Sequence, residues 1–365
     1  MKKTLALILA LSLSLALASC GNPNQPSNSG TTSTPAASTG TTSTTTPPAG
    51  GSGETVTLAT GGTSGTYYAY GGVMQTTLNP LLTTGQLNVT STGASSANIL
   101  EVADGNAQMS ILQSDVLSYA HSGTDLFTEA ETSSQWVAGL YNETVQIISA
   151  PGIKDVSELK GKTVCVGDVG SGTEVNARQV LEAYGMTTAD ITATNGSFGD
   201  AANDLKDGKI DAAFTVAGAP TTSITELDAT AEFDMISLTP EAVEYLTTNY
   251  PFLVQEDLPA GTYPNNIDYD VTCVAVKAVL VASEDLSEDF VYELLTQMFE
   301  NQESMAATQA KFQFLTLENA VAGVGDVPMH PGAEKFYTEK GVLRGRTDLA
   351  ARPAGQVPVT SDTGI

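Results

Sequence analysis

Past residue 53 the chain alternates between short β-rich runs and longer stretches with helical spacing. Val56-Thr57-Leu58-Ala59-Thr60 reads as a strand, and the glycine-rich turn Gly61-Gly62-Thr63-Ser64-Gly65-Thr66 leads into a helix from about Tyr67 to Leu81. A second strand, Leu87 to Ser91, runs into Gly93-Ala94-Ser95-Ser96 and a helix holding Ile99, Leu100 and Val102. Ala107 to Leu112 is a third strand, ending at Gln113-Ser114-Asp115. Strands and helices alternating at this spacing predict βαβ units and a largely parallel sheet.

A second set begins with a strand at Val145 to Ala150 and a helical turn at Val156 to Leu159. The strand Lys162 to Val166 passes through Gly167-Asp168-Val169-Gly170-Ser171-Gly172-Thr173 into a helix from about Glu174 to Tyr184, which Gly185 ends. Ala201 to Lys206 reads as helix, Ala212 to Val216 as strand, Ala217-Gly218-Ala219-Pro220 as turn, and Glu241 to Asn249 as a helix closed before Pro251. Val271 to Ala282 returns the chain through one long apolar strand or a pair of strands. Residues 288 to 310 then form a helix with Phe290, Leu294, Met298 and Met305 on one side.

The region before residue 54 has a different character. Lys2 and Lys3 precede an apolar run from Leu5 to Leu17, about thirteen residues and too short to span a bilayer, so it reads as a secretory signal. It ends in Leu17-Ala18-Ser19-Cys20-Gly21, the pattern of a lipoprotein box, in which the Cys20 thiol takes a diacylglycerol and becomes the mature N-terminus. Gly21 to Gly53 holds no charged residue and is rich in Ser, Thr, Pro and Gly, a composition that cannot offset its own ordering entropy. As a flexible tether it reaches roughly 30 Å.

Charge narrows the partners. Removing Lys2 and Lys3 from the 15 basic residues leaves 13 against 41 acidic ones, or −28. Such a body repels nucleic acid and anionic bilayers. Cys165 and Cys273 lie in apolar strand-like runs and read as buried thiols, with a disulfide between them as the alternative. No metal-ligand spacing exists, the two histidines are far apart, and neither a nucleophile elbow nor a phosphate-binding P-loop is present. The residues therefore predict no enzyme and no cofactor.

What remains is a repeated device: a strand, a loop rich in Gly, Ser and Thr, and a helix start. It occurs at 60–67 and 167–174, with weaker versions at 93–97 and 217–221. Such loops lie at the carboxyl ends of parallel strands, where helix N-termini offer unpaired N–H groups and partial positive charge to an anion. Tyr67 and Tyr68 diverge by about 100° on a helix, so at most one of them faces a ligand and the other belongs to the core. With only four arginines in the chain, Arg178 is expected on a solvated helix face.

At these residues the sequence resembles the TAXI family of TRAP-transporter solute receptors. The resemblance rests on Thr60 to Tyr68, Ile99 to Gln113, Gly170-Ser171-Gly172-Thr173-Glu174, Pro259 to Pro264 and His330-Pro331-Gly332-Ala333, in that order. Ser64 and Ala69 depart from the family's glycine and proline. The resemblance implies an α/β type II periplasmic-binding-protein fold, with two lobes, a hinge and a ligand cleft. It also implies capture of a glutamate- or glutamine-like carboxylate and its delivery to an integral-membrane TRAP permease. Carried over by position, the contacts are Gly62, Thr63, Thr66 and Tyr67, then Ser95, Ser96, Gln113 and Asp115, with Ser171, Gly172, Thr173 and Ala219 from the second lobe. The expected organisation is a leader at 1–19, Cys20 and tether at 20–53, lobe one at 54–144, lobe two at 145–283, helices returning to lobe one at 284–345 and a tail at 346–365. The expected protein is a monomer outside the cell membrane, held by its lipid. A ligand-sensing lipoprotein feeding a membrane signalling receptor would carry the same features.

Overall fold

The computed structural model describes residues 53–343, so the leader, Cys20, the tether up to residue 52 and the tail lie outside the described residues. Within them β1 (Glu54–Ala59), α1 (Thr66–Leu78), β2 (Gly85–Thr90), α2 (Ser95–Ala103), β3 (Met109–Gln113) and α3 (Ser114–Ser122) follow in succession. β1 lies between β2 and β3 and runs parallel to both. All five residues of β3 are buried, as suits a parallel strand covered on both faces.

Then comes β4 (Ser134–Ser149), followed by β5 (Thr163–Cys165), α4 (Gly172–Ala183), β6 (Thr192–Thr194), α5 (Phe198–Lys206), β7 (Ala212–Ala217) and α6 (Thr222–Asp228). β8 (Asp234–Met235), α7 (Pro240–Asn249), β9 (Val254–Leu258) and the long β10 (Val271–Ser283) complete the strands. The described residues close with α8 (Glu288–Glu300), α9 (Gln302–Thr308), α10 (Leu317–Val321) and α11 (Pro331–Glu339). The sheet order is β2-β1-β3-β10-β4-β7-β5-β6, with β8 on β4 and β9 on β10.

Two strands join two lobes. β4 pairs antiparallel with β10 from Ser134↔Ser283 to Thr144↔Ala275, then with β7 from Thr144↔Ala217 to Ser149↔Ala212. β10 pairs with β9 over Val271 to Ala275 and with β3 over Ala278 to Ala282. Each strand therefore belongs to both lobes, and β10 shifts register against β4 on either side of Val279 and Leu280. One core gathers Leu58, Tyr70, Met109 and Leu140 with Phe290, Leu294, Phe336 and Tyr337 from the final helices. Two further cores, around Val164, Val180 and Phe214 and around Ala213, Tyr263 and Cys273, fill the other lobe.

The sheet is mixed rather than largely parallel, because β4 and β10 run antiparallel to the strands beside them, and three elements differ from the sequence reading. β4 begins at Ser134 rather than at Val145, because Trp136, Val137, Leu140 and Tyr141 are buried against the late helices and need no alternation. The helix expected over 288–310 breaks at Asn301, whose φ of −108° and ψ of 13° end α8 and begin α9. α3 continues directly from Gln113, where the sequence reading placed only the end of the third strand. Cys165 and Cys273 are free and buried, not bridged. Among the described residues no helix is long and apolar enough to cross a membrane.

Candidate functional site

Five helices start around one cavity between the lobes. Gly65 and Thr66 open α1, Ala94 and Ser95 open α2, Gln113 precedes α3, Ser171 and Gly172 open α4, and Phe198 begins α5; all of these line the space. The cavity measures about 40 Å³ for the centres of water-sized spheres. One water needs roughly 10–15 Å³ by that measure, so the space suits a compact small molecule.

Local hydrogen bonds hold the loops in these positions. Gly65 N donates to Gly62 O (2.9 Å) and Ser91 Oγ to Gly61 O (3.0 Å), fixing the first loop against the chain after β2. In the second loop Gly167 and Gly170 have φ of 95° and 74°, left-handed values that glycine adopts without Cβ strain. Gly170 N donates to Glu174 Oε2 (2.8 Å), and Ser171 Oγ caps α4 by accepting from Glu174 N (3.2 Å). These bonds leave Ser171, Gly172 and Thr173 facing the cavity.

The lobes are closed on each other. Thr66 Oγ1 donates to Gly218 O (3.1 Å), Ser96 Oγ to Gly170 O (2.6 Å), and Asn176 Nδ2 to Asp115 Oδ2 (3.2 Å). Arg178 Nη2 meets Asp125 Oδ1 at 2.6 Å.

Gly62, Thr66, Tyr67, Ser95, Gln113, Ser171, Gly172 and Thr173 come together on the cavity wall. Thr63, Ser96, Asp115 and Ala219 do not. Thr63 points to solvent, Ser96 is spent on Gly170 O, Asp115 is engaged by Asn176, and Ala219 lies beyond the lining residues Val216 and Ala217. Tyr67 is on the wall, whereas Tyr68 is half-buried and off it. Arg178 is exposed and off the cavity wall, and from that face it also pairs across the lobes with Asp125.

The main surprise is Glu143, which lines the cavity from β4 and is 1% exposed. Burial pushes its carboxyl well above the usual carboxylate range; the adjoining Tyr67 hydroxyl, Gln113 amide and Lys311 oppose that rise, and Asp115 adds to it. Burial, then Glu143 itself, raises the Tyr67 hydroxyl likewise. Asp168 at the rim is raised by burial and by Asp200. Burial lifts Asp115 to about 6, against the hydrogen bonds from Val116 N and Asn176. Glu143 Oε1, Gln113 Oε1 and the Tyr67 hydroxyl have no partner of proper geometry in the protein. No lysine, arginine or histidine stands among the lining residues.

Sequence reasoning missed Glu143, Asp168 and Phe198. Glu143 did carry a signal: it is the one charged residue in Ser134–Ser149. Among the described residues no cluster of three or more His, Cys, Asp or Glu could hold a metal ion.

A family model described as the NMT1-like family matches residues 58–341. Among solved structures, one described as a periplasmic transporter is 16% identical and aligns with a TM-score of 0.50 over 81% of this chain and 96% of that one. The periplasmic binding protein BugD aligns with a TM-score of 0.50 at 12% identity, over 81% of this chain and 97% of its own. The periplasmic aliphatic sulphonate binding protein SsuA from Escherichia coli has 15% identity and a TM-score of 0.42, over 82% and 95% of the two chains. At these identities the likeness speaks to the fold, which is the two-lobed one of periplasmic binding proteins. The match names the NMT1-like family and not the TAXI receptors whose motifs the sequence resembles.

Proposed function

The chain belongs to the NMT1-like family, and on that premise we propose that it is an extracytoplasmic solute-binding lipoprotein that captures a small carboxylate and passes it, unchanged, to a TRAP-type membrane permease. One observation carries the ligand class: five helix starts surround one cavity between the lobes. Each helix start contributes unpaired N–H groups and the positive end of a dipole, worth about 0.3–1 kcal/mol per charge at an exposed site and up to ~2 when partly buried. Together they replace the arginine that carboxylate sites usually employ. The resemblance of the loops to TAXI receptors supports the permease type, and the Cys20 box supports the anchor.

The test is a thermal-shift screen of small carboxylates, amino acids, sugars and sulphonates, followed by calorimetric titration of each hit. A ligand at 100 times its Kd adds roughly 2.7 kcal/mol of stability. Carboxylates alone should shift the melting point, and mass spectrometry should recover the hit unaltered after long incubation. A hit among sugars only, or steady turnover, would overturn the reading. Uptake of the labelled hit should follow the ion gradient and not ATP.

A further inference from the structure

We propose that Glu143 meets the solute as a neutral carboxylic acid that donates its O–H into the cavity, so that each capture takes up one proton and each release returns it. This role rests on the reading of the cavity as the solute site, and adds to that site a donor on the hinge side. Glu143 is 1% exposed on the cavity wall, and its Oε1 has no partner in the protein, not even an N–H of the helix starts. No lysine, arginine or histidine lines the cavity, and Glu143 makes no ion pair among the described residues. A carboxylate held out of water without a cation is so costly that the group takes a proton instead. The neighbouring groups do not reverse this. Burial pushes the carboxyl up and Asp115 from α3 adds to the rise, while the Tyr67 hydroxyl from α1, the Gln113 amide from β3 and Lys311, between α9 and α10, oppose it. Burial drives Lys311 itself towards its neutral form, and its charge is shared with Glu256 of β9. On β4 the Tyr141 hydroxyl is raised by burial and then by Glu143. β10 sets only Val276 opposite Glu143, β7 brings Val216 and Ala217 to the wall, and the loop before α4 brings Asp168.

The proton follows the lobes. Glu143 sits in β4, one of the two strands shared by the lobes, and the wall around it comes from both: Tyr67 and Gln113 from lobe one, Thr173 and Val216 from lobe two. When the lobes part, water reaches the carboxyl and returns it towards its ordinary value of 4.5, so that it is ionised at neutral pH. Closing over a solute expels that water, and the carboxylate forms its O–H bond with a proton taken from solvent; opening gives the same proton back. In the neutral form Glu143 adds a donor to the N–H groups of the helix starts and puts no negative charge beside an anionic solute. Between 4.5 and the raised value the closed, loaded chain holds one proton more than the open, empty one. The contribution to affinity is therefore fully present below 4.5 and is lost as pH rises through the raised value, with a limiting slope of about tenfold per pH unit.

The experiment titrates L-glutamate, L-glutamine, glutarate and butyrate into the full chain by calorimetry, in phosphate and in Tris, whose heats of ionisation differ. The pH runs from about 6.5 to about 8.5, above the value of about 6 at which Asp115 titrates. In the wild type, the difference between buffers at neutral pH should report about one proton taken up per solute bound, and affinity should fall with rising pH towards tenfold per unit. Infrared difference spectra should show a neutral carboxylic acid appearing with the solute. Glu143→Gln keeps an amide donor but cannot titrate, so it should lose the uptake, the pH slope and the infrared band. Asp115→Asn and Asp168→Asn should each keep all three. Binding to the wild type without proton uptake would overturn this role and leave the small-carboxylate reading standing. So would uptake that persists in Glu143→Gln, or that vanishes in Asp115→Asn or Asp168→Asn and so belongs to that residue. If none of the four probes binds, the small-carboxylate reading fails and this role with it. The wild type and the two aspartate variants decide the outcome even where Glu143→Gln does not fold.

Discussion

Gly172→Ala separates closure of the lobes from folding of each lobe. Gly172 is the first residue of α4, and a Cβ added there would overlap Oε1 and Cδ of Gln113 and stand 2.9 Å from Nε2. Gln113 ends β3 of lobe one and is buried, so the clash falls across the lobe interface. Either the lobes stay apart or the Gln113 side chain swings into the ligand space. Overpacking of this kind costs about 1–3 kcal/mol, which is roughly a fivefold to 150-fold loss of affinity. Within lobe two the substitution is close to neutral, because Gly172 stands at the first position of α4, outside the helix interior where Ala is favoured over Gly. The unliganded variant should therefore melt close to the wild type while its Kd, by titration calorimetry with the best solute from the screen, rises at least fivefold. Wild-type affinity in Gly172→Ala would mean that the lobes do not close on this contact and that the cavity described here is not the binding site.

Other perturbations probe separate parts of the structure. Thr173→Ala removes a buried hydroxyl from the cavity wall and should weaken binding roughly ten- to a hundredfold, as expected for a hydrogen bond to a charged group, again by calorimetry. Arg178→Ala breaks the pair with Asp125, whose side chains are 43% and 25% exposed; the loss should be about 0.2–1 kcal/mol, and added salt should shrink it. Asp115 titrates near 6 in the folded chain and near 3.8 when unfolded, so the folded state holds more protons between those values. Its contribution to stability is present below about 3.8 and is lost as pH rises towards 6, an effect of a few kcal/mol at roughly 1.4 kcal/mol per unit. Asp115→Asn should flatten that decline in urea melts recorded from pH 4 to pH 6. Cys165 and Cys273 are buried with their thiols pushed up, Cys273 to about 12, so a thiol reagent should label neither until the chain is unfolded.

The parallel strands and their loops were legible because each device is local. Glycine, serine and threonine after a β-rich run mark a strand-to-helix turn whatever lies around it, and α1 and α4 start where those residues stand. β4 was half hidden because its first part is buried by α10 and α11, partners nearly two hundred residues away. Trp136 Nε1 donates to Ala320 O (2.9 Å), and Tyr337 hydroxyl to Val137 O (3.0 Å). A strand covered on both faces loses the alternation that a sequence reading depends on. Glu143 was passed over because a chain with 41 acidic residues gives no single carboxylate any prominence. Its burial emerges only once β10 and α1 are packed beside it. The same long-range packing took Asp115 and Ser96 off the cavity, turning expected ligand contacts into contacts between the lobes.

The core joining Val56 to Tyr337 also sets an order of events in the life of the chain. A polypeptide made from its N-terminus outward has β1, α1, β2 and β3 early, but the surface they bury is completed only by helices that emerge last. Until then the first lobe is a partial sheet with an open face, and β3 lacks β10 as its neighbour. Contacts of such sequence separation form slowly. If the chain is exported as its leader sequence predicts, threading a channel as an extended strand, that delay is useful: the first half cannot lock into a folded body inside the cell before the last helices are made.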